Sequence, residues 1–252
     1  MLSLVDFSVK QRVGPLSVSA AAGQHIALLG PNGSGKSSLL LGIAGLISSQ
    51  GQVELEQQDI RQWTMQYAAI KRAMLPQRTA QLLPIACYQV IALGASPLNC
   101  SASAIQSAIE QVCLRLELLD YLERDFSQLS GGEQQRILLA KTLLQVWPTL
   151  NPQARLLLLD EPLAGLDWHH QITVLTVLKE LTQQGMTVLT SIHDFNLAVA
   201  HCDIIWCLQQ GKLVFSDSAN QFDEHLIEQV FRLKTIRSQA DGQTVFIPWR
   251  VS

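Results

Sequence analysis

The sequence predicts an α/β fold with a block of helices inserted into it. Three observations carry this reading. An apolar run at residues 26–29 passes through a glycine-rich loop at residues 30–35 into a helix that opens at Lys36. A second wholly apolar run, residues 156–159, ends on Asp160 and Glu161. Such a run suits a central parallel strand buried on both faces, and α/β sheets bind ligands at the carboxyl ends of their strands. Between the two, over about residues 85–145, β-branched alternation gives way to helix formers.

The loop is the clearest chemical signal. Gly30, Pro31, Asn32, Gly33, Ser34, Gly35, Lys36, Ser37 and Ser38 follow the spacing G-x-x-x-x-G-K-S, that of a phosphate-binding loop. Backbone N–H groups encircle a polyphosphate only where no Cβ intrudes and some φ angles are positive, hence Gly30, Gly33 and Gly35. The following helix points its partly positive N-terminus at the anion. Lys36 has the reach for β- and γ-phosphate oxygens, and the Ser37 hydroxyl suits a Mg²⁺ ion. A plain glycine-rich turn would not need strand, loop, Lys-Ser pair and helix to coincide.

Taken in order, residues 1–29 read as strands. Leu2, Leu4, Phe7 and Val9 carry one apolar pattern, Gly14-Pro15 marks a turn, and Ala22-Gly23 marks a second turn before the strand that feeds the loop. Leu39, Leu40 and Ile43 share one face of the helix after the loop, and Gly45 stops it. Val53 and Leu55 alternate with Gln52 and Glu54, which suits an antiparallel edge strand. Gln77 follows a short apolar strand and is unremarkable by itself.

In the helical block, Ile105, Ala108, Ile109, Val112, Cys113, Leu116 and Leu119 form a helical stripe, with Ser103 and Gln106 as a capping box. Ser130 and Glu133, in LSGGEQQ, form another. That second box leaves Gly131-Gly132 unexplained inside a helical first turn, where glycine costs roughly 1 kcal/mol relative to alanine. Close approach of an anion to the helix N-terminus would account for them.

A loop with two prolines precedes residues 156–159. The adjacent carboxylates Asp160 and Glu161 suit a Mg²⁺ ion and an attacking water. LAGLD ends at Asp167 and starts a helix through about Thr182. Another apolar strand ends near His193, at the same sheet end as Asp160, which favours a role at the phosphate. A hairpin at Gln210-Gly211, a helix near residues 222–231 and a strand around residues 244–247 complete the chain.

Composition narrows the classes. The 252 residues are 48% hydrophobic and 15% charged with a net charge of −3, so no basic excess marks a nucleic-acid binder. Cys87, Cys100, Cys113, Cys202 and Cys207 are odd in number and scattered, as expected of free thiols in a reducing compartment. Residues 1–10 lack a basic n-region and Asp6 interrupts their apolar run, so no signal peptide is expected. No apolar run approaches the ~18 residues of a membrane span, so a membrane role would run through a partner.

The ordered set GPNGSGKS, Gln77, LSGGEQQ, LLLLDEP, LAGLD and His193 resembles the ATPase subunit of ABC transporters over residues 1 to about 215. The resemblance implies a P-loop NTPase fold in a single ATPase domain. A RecA-like core with an antiparallel β subdomain would occupy residues 1–84 and 146–252, and a helical subdomain about residues 85–145. It implies ATP and Mg²⁺, with Ser37, Gln77 and Asp160 around the metal, Glu161 polarising the attacking water, and Gln77 and His193 sensing the γ-phosphate. Ser130, Gly131 and Gly132 would complete the site of a second copy in a head-to-tail homodimer, with Asp167 between the two sites. Two membrane-spanning permease subunits are the implied partners, with a periplasmic binding protein acting indirectly and no nucleic acid. The segment 78–93, including Leu82 and Leu83, would form part of the groove that receives a permease helix. The short GPLS connection and the Pro-containing loop before LLLLDEP resemble the ATP-binding subunits of bacterial vitamin B12 importers, of which iron–siderophore and haem importers are close relatives. A rival class is a soluble ABC ATPase of assembly or repair, against which stand the lack of a long coiled-coil insertion and the single ATPase unit. One departure is local. Members of the family carry an aromatic residue for adenine shortly before the position of Gly14, where this chain reads VKQRV.

Overall fold

The structure, a computed structural model, describes residues 1–77, 85–240 and 242–251. A hairpin of β1 (Leu2–Val9) and β2 (Val13–Ala20) leads to β3 (His25–Leu29) and α1 (Lys36–Ile43). There follow β4 (Gln50–Leu55), the short β5 (Gln58–Asp59), α2 (Met65–Lys71) and β6 (Arg72–Leu75). The helical block is α3 (Cys87–Ala92), α4 (Ala102–Arg115) and α5 (Gly131–Val146). The chain returns through β7 (Leu156–Leu159), α6 (Trp168–Gln183), β8 (Thr187–Ser191), α7 (Phe195–His201), β9 (Ile204–Gln209) and β10 (Lys212–Ser218). It ends in α8 (Glu224–Phe231), β11 (Leu233–Ala240) and β12 (Gln243–Val251).

The central sheet runs β10-β9-β3-β8-β7-β6, parallel except for the β9–β10 hairpin. Its inner strands β3, β7 and β8 are buried on both faces because both faces are covered. Ile26 and Leu28 of β3, with Leu156 and Leu158 of β7, join a cluster formed with α1 and the antiparallel sheet β2-β1-β4-β5. Their neighbours Ala27, Leu29, Leu157 and Leu159 face the opposite cluster, with the helical block and α6. The period of two along each strand thus divides one apolar run between two cores.

Sequence and structure differ at a few elements. Gly14-Pro15 lies inside β2, and the turn is at residues 10–12. β2 is the outer strand of its sheet, where the missing proline N–H costs no ladder bond. The Gly14 N–H instead reaches across to the Gly211 carbonyl at 2.7 Å. β4 is antiparallel as expected but is not an edge, since β1 and β5 flank it. The cap of α4 is Ser101, whose Oγ accepts from the Ala104 N–H at 3.2 Å, and not Ser103. Leu119, the last residue of that stripe, is exposed beyond the helix end. The final strand pairs with β11, an element its mixed polar sequence did not announce.

The helical block is seated on the sheet through α5, which shares one apolar cluster with α3, α4 and β6. The turn after α3 approaches α5 so closely that a Cβ on Gly94 would lie 2.0 Å from the Lys141 carbonyl oxygen. Gly94→Ala should therefore force the two helices apart and cost about 1–3 kcal/mol, a fall in Tm of roughly 2–12 °C for a chain of this size. Thermal unfolding of the purified variant checks this, and an unchanged Tm would show that the contact gives way without strain.

Candidate functional site

The phosphate-loop residues sit at the carboxyl end of β3. Gly30 and Gly35 are required by close approach. Both have positive φ, and a Cβ would lie 2.2 Å from the Leu208 carbonyl oxygen at Gly30 and 2.9 Å from that of Arg12 at Gly35. α1 has Gly35 as its cap residue with no side-chain cap and no acidic residue in its first turn. Its first N–H groups therefore face the loop without a side-chain acceptor, which is the arrangement that receives an anion. Lys36 is buried, and its Nζ donates to the Gly30 and Pro31 carbonyls at 2.8 and 3.2 Å. Burial pushes its pKa down, while the Glu161 and Asp160 carboxylates push it back up.

A cleft of about 730 Å³ opens over this loop. Asn32, Gly33, Ser34, Gly35, Lys36, Ser37 and Ser38 line it together with Gln77, Glu161 and His193. Six stretches far apart in sequence meet here, the other two being Gln11-Arg12 and Gln210-Gly211. Gly30, Pro31 and Asp160 do not line it.

Asp160 and Glu161 leave β7 side by side but are held differently. Asp160 is buried and its Oδ1 accepts from the Ser191 Oγ at 2.7 Å. Glu161 has φ 52°, in the left-handed region that a non-glycine residue seldom adopts. Its N–H donates to the same Ser191 Oγ at 2.7 Å, and its carbonyl accepts from Gln135 Nε2 at 3.3 Å. Its Oε1 lies 2.9 Å from His193 Nε2. His193 is thus paired with the second carboxylate.

The cleft suits a Mg²⁺-type cation. Such an ion takes one or two carboxylates and completes its octahedron with water and phosphate oxygens. Asp160 offers a buried carboxylate next in the chain to Glu161, whose cleft the Ser37 and Gln77 side chains also line. Among the described residues no group of three or more His, Cys, Asp or Glu is arranged to hold a metal without substrate oxygens.

Ser130, Gly131, Gly132 and Asp167 do not line this cleft. Ser130 caps α5: its Oγ accepts from the Glu133 N–H at 3.4 Å, and Glu133 Oε2 accepts from the Ser130 N–H and Oγ at 2.7 and 2.8 Å. Asp167 caps α6, accepting from the His170 N–H at 2.9 Å and lying 2.8 Å from His170 Nδ1. The two glycines differ. A Cβ on Gly132 would lie 2.8 Å from the Gly165 carbonyl oxygen, so this glycine is needed for contact with the LAGLD loop of its own chain. Gly131 faces open space, which leaves room for an approaching group. Of the expected docking segment, residues 78–84, with Leu82 and Leu83, lie outside the described residues. In the rest of that segment, Tyr88 and Leu93 are exposed.

The end of the cleft at the β1–β2 turn carries no aromatic side chain among the described residues. Arg12 and Gln11 stand there, on the β1–β2 turn, whose Arg12 carbonyl packs against Gly35 and Gly211. A guanidinium stacked on a base contributes ~0.5–1 kcal/mol when exposed and does not read exocyclic groups. GTP should therefore be hydrolysed within about tenfold of ATP in kcat/KM, a gap of ~1.4 kcal/mol. Steady-state kinetics with both nucleotides on the purified protein decides this, and a hundredfold preference for ATP would reveal a base-reading contact.

Residues 13–164 match the ABC transporter family. The chain belongs to that family. Curated ABC relatives span nearly its whole length. The vitamin B12 import ATP-binding protein BtuD of Yersinia enterocolitica is 37% identical, covering 92% of each chain. The protein of the same name from Pectobacterium atrosepticum is 36% identical, covering 98% of each. Among solved structures, a metal-chelate type ABC transporter in an inward-facing conformation superposes with a TM-score of 0.80 at 26% identity, covering 99% of this chain and 97% of that one. The ATP-binding cassette MJ0796, a dimer bound to ADP and phosphate, shares the fold at a TM-score of 0.76 and 21% identity, covering 88% of this chain and 100% of that one. The fold is the α/β P-loop NTPase fold of ABC ATPases, and the enzymatic class is ATPase.

Ser191, Gln135, Gln11, Gln210 and Gly211 belong to this site and were not foreseen as such. Gln135 lies in the LSGGEQQ string and Ser191 in the strand before His193.

Proposed function

We propose that this chain is the ATP-hydrolysing subunit of a bacterial vitamin B12 importer. The observation that carries the solute class is the run of relatives with the same printed function, 36–37% identical over more than nine-tenths of both chains. The convergence of the phosphate loop, Gln77, Glu161 and His193 on one cleft supports the hydrolytic role. In this reading Lys36, the loop amides and the α1 N-terminus bind the phosphates, and Ser37, Gln77 and Asp160 hold Mg²⁺. The metal supplies charge stabilisation to the departing phosphate. Glu161 orients and polarises the attacking water, and His193 holds Glu161 and faces the γ-phosphate.

The chain works as a head-to-tail homodimer in which Ser130, Gly131 and Gly132 of one copy close on the nucleotide of the other, with Asp167 between the sites. Two integral-membrane permease subunits dock on it at the cytoplasmic face of the inner membrane, and a periplasmic binding protein delivers solute to them. Among the described residues no helix is long and apolar enough to cross a membrane. Residues 1–84 and 146–252 act as the catalytic core, and residues 85–145 as the helical subdomain that carries Ser130. ATP binding closes the dimer and product release reopens it, so the permeases alternate between two states.

The metal-chelate type structural neighbour favours one second reading, an iron–siderophore or haem importer. A strain lacking this gene separates the two. Loss of radiolabelled cobalamin uptake, with ferric-siderophore and haem uptake intact, supports the first. The opposite pattern overturns it.

A further inference from the structure

Ser191 has one hydroxyl proton to give and gives it to Asp160. The Ser191 Oγ donates to Asp160 Oδ1 at 2.7 Å and accepts from the Glu161 N–H at 2.7 Å. Both side chains are buried, 1% and 2% exposed. The register makes this contact: β7 and β8 run parallel with Leu159 beside Thr190, so the next residue pair is Asp160 and Ser191. A left-handed backbone at a non-glycine residue persists only where the surroundings hold it. At Glu161 the holding groups are Ser191 on the N–H and, on the carbonyl, Gln135 Nε2 and the Ala164 N–H.

We propose that Ser191 is a positioning residue that ties the metal-facing carboxylate of Asp160 to the backbone of Glu161, so that cation and attacking water are placed by one rigid unit. The inference rests on the ATP-hydrolysis reading above. No other side chain hydrogen-bonds both residues among the described residues. Alanine at 191 would leave a buried carboxylate oxygen and a backbone N–H without this partner, and Glu161 would lose one of the groups that hold it in the left-handed region. Threonine keeps the hydroxyl. Cysteine keeps the volume but is a weak donor.

The test uses the purified full-length protein and three variants, Ser191→Ala, Ser191→Cys and Ser191→Thr. Groups that orient a metal ligand are typically worth 10–100-fold in metal affinity or activity. The kcat of Ser191→Ala should thus fall by roughly 10–100-fold while KM for ATP changes by less than about threefold. Binding of a non-hydrolysable ATP analogue, measured with Mg²⁺ and with EDTA, gives a second readout. The gain in affinity conferred by Mg²⁺ should shrink by about fivefold or more in Ser191→Ala and Ser191→Cys, and return in Ser191→Thr. If Ser191→Ala does not fold, the Cys and Thr pair carries the same comparison. A kcat within about twofold of wild type in Ser191→Ala or Ser191→Cys, or an unchanged Mg²⁺ gain in both, overturns the proposal. Wild-type protein without ATPase activity would instead overturn the functional reading, and the Mg²⁺ gain would still test Ser191.

Discussion

Glu161→Gln should bind ATP with near wild-type affinity and hydrolyse it slower by a factor on the order of 10² or more, the scale of a general base. That factor corresponds to about 2.7 kcal/mol of lost transition-state stabilisation. The substitution is nearly isosteric. An amide oxygen can still accept from His193 Nε2, now 2.9 Å from Glu161 Oε1. The backbone bonds to Ser191 and Gln135 do not involve the side chain, so the φ of 52° should persist. What is lost is the negative charge that draws a proton from water. ATP should then accumulate in the closed dimer, visible as a dimeric peak in size-exclusion chromatography with ATP and absent with ADP. Single-turnover hydrolysis measures the rate. Wild-type turnover in this variant would remove Glu161 from the mechanism.

How far the site could be read from sequence depends on whether a residue's chemistry is local or arises from packing. The phosphate loop is local: its glycines, Lys36 and Ser37 are fixed by spacing along one strand, loop and helix. β7 was equally legible, because only a strand covered on both faces tolerates four leucines in a row. Ser191 was not, since a serine at the end of an apolar strand has no spacing signature. It becomes functional only when β8 lies parallel to β7 in the observed register. Gly14-Pro15 misled for a related reason. The dipeptide signals a turn, but it says nothing of an outer strand whose free edge accepts proline. The roles of Ser130 and Gly132 were half legible. Their cap and close-packing functions are visible within one chain, whereas any function toward a second copy has no signal except the open face at Gly131.

Lys36 and Ser130 should fail in different ways, and the difference tests the head-to-tail arrangement. Lys36 is largely buried but lines the cleft, with its Nζ donating to the Gly30 and Pro31 carbonyls. Lys36→Ala removes a charge-assisted contact to phosphate, worth about 1.5–3 kcal/mol. Monomer ATP affinity should fall by roughly 10–150-fold. Ser130 is exposed and lies outside the cleft of its own chain, at the N-terminus of α5. Ser130→Arg puts a long cation on the surface expected to meet the other copy's nucleotide. It should leave monomer affinity within about threefold, a difference of under 1 kcal/mol, yet abolish ATP-dependent dimerisation and hydrolysis. The substitution also breaks the capping box, at a cost of about 1 kcal/mol. Ser130→Ala controls for this, since it removes the same cap without the bulk or the charge. It should lower Tm as much as Ser130→Arg while weakening dimer formation far less. Affinity measured by titration of a fluorescent ATP analogue at concentrations where the protein is monomeric separates the cases. If Ser130→Arg loses as much monomer affinity as Lys36→Ala, Ser130 serves its own chain's nucleotide and the trans arrangement is refuted.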